Sequence, residues 1–187
     1  MPLSSLTVVS NDRMATDRED PVAAARAGAA GGIEALYRAH APQLLQLSAR
    51  LSGSAADAED VVHDLFVRLP EFLARYEERG QLGAWLRALT VRLTLDRLRL
   101  ERRRFSLLAA FPGRWAAHQE APTGEAVDLE RALKALSPTH RAVFVLRQIE
   151  GYSYDEISSR LGVTPGAARV RYLRALRHLR NLMKGTR

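Results

Sequence analysis

Apolar residues recur at helical spacing through most of this chain, and no stretch alternates with the period of a strand. Ile33, Leu36, Tyr37, Leu44, Leu47 and Leu51 form a first stripe, in which Pro42 predicts a kink. Val61, Val62, Leu65, Phe66, Leu69, Phe72 and Leu73 form a second over 55–75. Ser54 is placed to cap that helix, and Pro70 to bend or shorten it. Leu82, Trp85, Leu86, Leu89 and Leu93 form a third over 82–104. Four further helical segments follow: 128–136, one opened by Ser137 and Pro138 that ends at Gly151, and a pair over 153–180. The expected class is all-α.

The intervening stretches divide the chain. Residues 1–22 are polar and aperiodic and read as a flexible tail, within which Met14 is a second candidate start. The Ala- and Gly-rich stretch 23–32 suits a short, weak helix. Residues 105–127 contain Pro112, Gly113, Pro122 and Gly124, and connections this long are uncommon inside one compact domain. They read as a long flexible linker between two small helical domains, 23–104 and 128–187. Leu107, Leu108, Phe111 and Trp115 suggest that the linker lies along a partner.

The pair over 153–180 has the grammar of a helix-turn-helix. Ser153 and Glu156 form a capping-box pattern, Gly162 supplies a residue tolerant of positive φ, and Thr164 followed by Pro165 opens the second helix. Ala168, Tyr172, Ala175, Leu179 and Leu182 share that helix's buried stripe. Arg169, Arg171 and Arg174 fall toward its exposed sides, where a phosphate backbone or base edges could be met. The plainer reading is a solvated basic face.

Composition agrees with a polyanionic partner. The chain of 187 residues carries a formal net charge of +7 and a pI near 10.5, which an anionic membrane surface would also suit. It has no cysteine, which excludes disulfides and thiolate metal sites. No apolar run reaches the roughly 20 residues of a membrane span, and the N-terminus lacks the pattern of a secretory signal. The expected location is cytoplasmic. Five arginines (Arg97, Arg99, Arg102, Arg103 and Arg104) end the third helix, more than helix-end electrostatics requires. Asp57, Asp60 and Asp64 share a face of the second helix beside His63. That face reads as a solvated helix start, as a dock for a basic protein, or as a metal site lacking a second histidine at helical spacing. Trp85 reads as core packing or as a surface for stacking a base. No nucleophile–base pair, phosphate loop or zinc-protease motif makes a case for an enzyme.

These motifs together resemble bacterial alternative sigma factors of the extracytoplasmic-function (ECF) type. AEDVVHDLFVRL (58–69) is similar to the helix by which that family binds core RNA polymerase. GAWLRALTVRLTLDRLRLERRR (83–104) is similar to its −10 reading and melting segment. The stretch 136–180 is similar to its −35 reading domain. The resemblance implies that Asp60, His63, Asp64, Leu65 and Phe66 serve core binding. It implies that Trp85, Arg92, Asp96, Arg97, Arg99, Arg102 and Arg103 serve the −10 element, and that Thr164, Pro165, Gly166, Arg169, Arg171 and Arg174 serve the −35 element. His63 stands where the family commonly has glutamine, Arg92 where it often has asparagine, Ala168 for valine and Val170 for serine. The implied partners are core RNA polymerase, promoter DNA and an anti-sigma factor, often membrane-bound. No cofactor, metal or small-molecule substrate is implied. The competing readings are a helix-turn-helix regulator that acts without joining polymerase, and a metal-dependent nucleic-acid enzyme built on the acidic cluster.

Overall fold

Caps and prolines set most of the helix boundaries. The computed structural model describes residues 20–77, 80–108 and 129–184. Residues 1–19 of the predicted tail 1–22, with Met14, and most of the predicted linker lie outside the described residues, whereas Pro21 and Val22, expected in the tail, belong to the first helix, where Val22 is buried. Asp20 accepts a hydrogen bond from the Val22 amide at 3.0 Å, and Pro21 opens α1 (Pro21–Arg26). The helix α2 (Ala30–Ser52) runs unbroken through Pro42, where the stripe predicted a kink. Pro42 is exposed, so the carbonyl that its ring leaves unpaired lies on the side open to water. Ser54 caps α3 (Ala55–Val67) by accepting from the Asp57 amide at 3.2 Å. Pro70 does shorten the second helix: α3 stops at Val67, and Pro70 sits in the first turn of a separate short helix, α4 (Leu69–Leu73).

The third helix is longer than its stripe. α5 spans Leu82–Leu108, four residues beyond the expected end at Arg104. Past the linker come α6 (Leu129–Lys134) and α7 (Pro138–Phe144), which widens into a π-helical turn over Val145–Ile149. Then come α8 (Tyr154–Leu161) and α9 (Pro165–Lys184). No strand occurs among the described residues.

Two hydrophobic cores form, and α2 and α5 serve both. Leu36 and Leu44 of α2, with Leu86 and Leu89 of α5, close the first core around Val62, Leu65, Leu69 and Leu73. One to two turns further along, Leu47 and Leu51 of α2, with Val91 and Leu95 of α5, enter the second core. There they meet Leu133, Val143, Leu146, Ile157, Ala168 and Leu179 of the C-terminal domain. The two domains are therefore packed on each other. At about 1.5–3 kcal/mol for each fully buried aliphatic side chain, the four shared residues are a substantial part of that contact. Inside the shared layer the Ser48 and Thr94 hydroxyls lie 2.9 Å apart. Thr90 and Thr94 donate to the carbonyls of Leu86 and Thr90, so no buried hydroxyl there lacks a partner.

Candidate polymerase and nucleic-acid interfaces

The acidic face is presented by α3, whose apolar side is sunk in the first core. Asp60, His63 and Asp64 are exposed. Leu65 and Phe66, expected among the docking residues, are 0% and 5% exposed. That assignment is corrected: they anchor α3 from beneath, because they occupy the buried half of its stripe, and the surface of this face is carried by the carboxylates and His63. Tyr37 of α2 is 45% exposed and stands edge-on to Phe66, with ring centroids 4.9 Å apart, so it adds an aromatic surface beside the acids. Among the described residues no group of three or more metal-ligating side chains comes together.

The structure brings two residues expected at different partners into one ion pair. Arg97 of α5 donates to Asp60 at 2.7 Å and to Asp57 at 3.2 Å, with Glu101 at 3.6 Å. Burial works against its charge, but the bonds to Asp60 and Asp57 outweigh that and raise the Arg97 pKa. Asp96 is likewise engaged, with Arg99 at 2.5 Å and Arg92 at 3.9 Å. Arg103 is exposed, while the side chain of Arg102 lies outside the described residues.

Trp85 is half-buried. It packs on the first core and lies against Tyr76, with ring centroids 4.7 Å apart. Its free side lines an open cavity of about 470 Å³ with Arg75, Tyr76, Glu77, Gln81 and Ala84. One side of Trp85 is therefore core, as the packing reading expected, and the other borders the cavity.

The helix-turn-helix follows its sequence grammar closely. Ser153 accepts from the Glu156 amide at 3.2 Å while Glu156 accepts from the Ser153 amide at 2.8 Å, a reciprocal capping box. Those bonds from Ser153 hold the Glu156 carboxyl below its usual pKa. Gly162 takes φ 64° at the end of α8, which makes the turn. Thr164 accepts from the Ala167 amide at 3.2 Å and so caps α9. Thr164, Pro165, Gly166, Arg169 and Arg174 are all exposed along the start of α9. Arg171 departs from this set. It is half-buried and lines a cavity of about 260 Å³ with Leu95, Leu98 and Arg99 of α5, Pro138 and Ala142 of α7, and the turn 161–163.

The sequence reading missed Arg141. It is 4% exposed and immediately precedes the run Ala142–Leu146 that fills the second core. Its position at the edge of that apolar run was the available signal. Arg50, Arg87, Glu130 and Glu150 were missed as well: Arg50–Glu130 and Arg87–Glu150, each at 2.6 Å, join the two domains.

An acidic helix, a basic helix beside it and a capped helix-turn-helix after a linker define a two-domain protein of the sigma-70 class. Residues 36–104 match sigma-70 region 2, and residues 126–179 match sigma-70 region 4. The chain is 33% identical over 162 residues to the RNA polymerase sigma factor CarQ of Myxococcus xanthus, covering 84% of this chain and 92% of that one. It is 32% identical over 167 residues to the ECF RNA polymerase sigma factor SigL of Mycobacterium tuberculosis, covering 85% and 93%. With SigE of Mycolicibacterium smegmatis the identity is 36% over 157 residues, 79% of this chain but only 60% of SigE's length. A solved structure of the sigma factor RpoE in complex with the anti-sigma factor NepR, from Bartonella quintana, matches 82% of this chain and 98% of that chain, with a TM-score of 0.54 and 25% identity. The chain belongs to the ECF family of RNA polymerase sigma factors.

Proposed function

We propose that this chain joins core RNA polymerase through the exposed acids of α3 and directs it to promoters by two readers, α5 at the −10 element and α9 at the −35 element. The observation that carries the division is the charge segregation of the folded chain. The α3 face offers Asp60 and Asp64, whereas α9 offers arginines with no acidic residue along its length. Arg169 and Arg174, beside Thr164, Pro165 and Gly166, stand where a reading helix meets bases and phosphates. Strand separation draws on binding energy, with an unstacked base held against Trp85 in the open cavity beside it. It needs no hydrolysis. The regulator that ignores polymerase leaves the α3 face without a role. Membership of a family whose relatives include a solved sigma–anti-sigma complex supports an anti-sigma protein as a further partner, and a membrane-bound one would hold the chain at the membrane.

Asp64 gives the cleaner test of docking, because Asp60 also holds Arg97. Asp64→Ala should weaken binding to core polymerase while leaving the affinity for isolated −35 duplex unchanged, both measured by fluorescence anisotropy. Equal loss of both would refute the division of labour.

A further inference from the structure

The helix α1 is six residues long, too short to hold its shape by its own hydrogen bonds. Docking fixes its position instead. Val22 and Ala25 sink into the first core, and α1 meets α2 backbone to backbone: a Cβ on Gly32 would stand 2.5 Å from the Ala25 nitrogen and 2.7 Å from the Ala24 Cβ. This docking delivers the last residue of the helix, Arg26, to the end of α4. Arg26 Nε donates to the Leu73 carbonyl at 3.1 Å, and Nη2 donates to the Tyr76 carbonyl at 2.9 Å. These acceptors lie 47 and 50 residues further along the chain. Leu73 is the final residue of α4, so the guanidinium sits at the negative end of that helix, where carbonyls lack intrahelical partners.

Those two bonds hold one wall of the cavity that Trp85 borders. The Leu73 carbonyl also accepts from the Tyr76 amide at 3.1 Å, which closes a turn around the Arg26 fork. Tyr76 leaves that turn 8% exposed, with its ring centroid 4.7 Å from that of Trp85. Arg75, Tyr76, Glu77 and Gln81 continue the lining past the end of α4, and Arg26 itself is not part of it. A shift of the Tyr76 backbone would therefore move both the cavity wall and the ring against which Trp85 rests. A planar guanidinium presents its N–H groups at a fixed spacing, and here they span one turn. An ammonium has no such fork.

We propose that Arg26 is a positioning residue for capture of an unstacked −10 base: it fixes the turn 73–76 and so sets the spacing of Tyr76 and Trp85 at the cavity. The inference rests on the reading in which that cavity takes the base. It gives α1, remote in sequence from the reading helix α5, a part in −10 recognition.

The test is abasic scanning of a single-stranded −10 oligonucleotide, with the full-length chain bound to core polymerase. In the parent, removing one particular base should weaken binding roughly five- to a hundredfold, the worth of one stacked base. Trp85→Ala should abolish that penalty. Arg26→Gln should erase most of it as well, while core binding, −35 duplex affinity and the response at the other positions stay as in the parent. Arg26→Lys, which keeps the charge but loses the fork, should fall between. Gly32→Ala forces α1 off its seat without touching the cavity and should reproduce Arg26→Gln. A full penalty in both Arg26→Gln and Gly32→Ala would overturn the role of Arg26 and leave base capture standing. Equal weakening at every position, together with lost core binding, would make Arg26 a support of the fold alone and would also overturn the proposal. A parent without any position-dependent penalty would overturn base capture at this cavity, and the positioning role with it.

Discussion

The helices α5 and α9 are both rich in arginine, but those arginines keep opposite company. On α5, Arg97 is held by Asp57 and Asp60, Arg99 and Arg92 by Asp96, and Arg87 by Glu150. On α9, Arg169, Arg174, Arg177 and Arg180 form no ion pair among the described residues, and the helix contains no acid to offer one. A phosphate approaching α9 meets charge that is already free. A phosphate approaching α5 must displace a carboxylate, which cancels much of the gain. The difference suits the two tasks proposed for these helices. The −35 reader must capture intact duplex, where phosphate contacts dominate affinity. The −10 reader must hold separated strands, where base contacts matter more.

The contrast can be broken most strongly at α9. Arg169→Ala should weaken binding to the cognate −35 duplex by about 1–3 kcal/mol if its fork reads a base edge. Arg174→Ala, as a phosphate contact, should weaken all sequences alike and reduce the salt slope of binding by about 0.9. Titrations at several salt concentrations distinguish the two. If neither variant changes affinity, α9 is not the reader.

At α5 the same substitution should behave differently. Arg97→Ala should leave the salt slope of duplex binding almost unchanged but lower the stability of the folded chain. A double-mutant cycle with Asp60→Ala in chemical denaturation should give a coupling of about 0.2–1 kcal/mol, the range for partly exposed pairs. A zero coupling with a reduced salt slope would make Arg97 a phosphate contact after all.

The smallest effect concerns pH. His140 of α7 accepts or donates to the Ser137 hydroxyl at 2.6 Å and faces Arg174, Arg171 and His178 of α9. Burial first, and then those three neighbours, hold its pKa below the usual value. The unfolded chain therefore takes up the proton first. This contribution to stability is intact above about pH 6.5, the unfolded value, and is lost as pH falls through the lower folded pKa. Thermal melts on either side of that range should show a decline in the parent that His140→Gln flattens. An identical decline in both would place the titration elsewhere.

How far these features could be read in advance depended on their range along the chain. Caps and turns are local, so Ser54, Ser153, Glu156, Gly162 and Thr164 announced themselves, as did the break at Pro70. Periodicity showed which side of α3 is buried, but the resemblance still drew Leu65 and Phe66 into the docking set, because a motif carries both its contact residues and the residues beneath them. Pro42 does not end α2, and a stripe does not say whether the helix resumes beyond a proline. The least legible features were long-range. Leu47 and Leu51 continue the stripe of Leu36 and Leu44 without signalling that they enter a different core. Arg141 is seated by carbonyls about ninety positions earlier, and backbone carbonyls leave no mark in a sequence.

The central claim is that one chain reads a promoter at two points for polymerase, and run-off transcription with purified core enzyme tests it most directly. Core polymerase supplemented with this chain should start transcripts at a fixed position on DNA carrying both promoter elements, and should fail to do so when either element is scrambled. A chain that binds −35 duplex but neither associates with core polymerase nor confers a defined start would contradict the account.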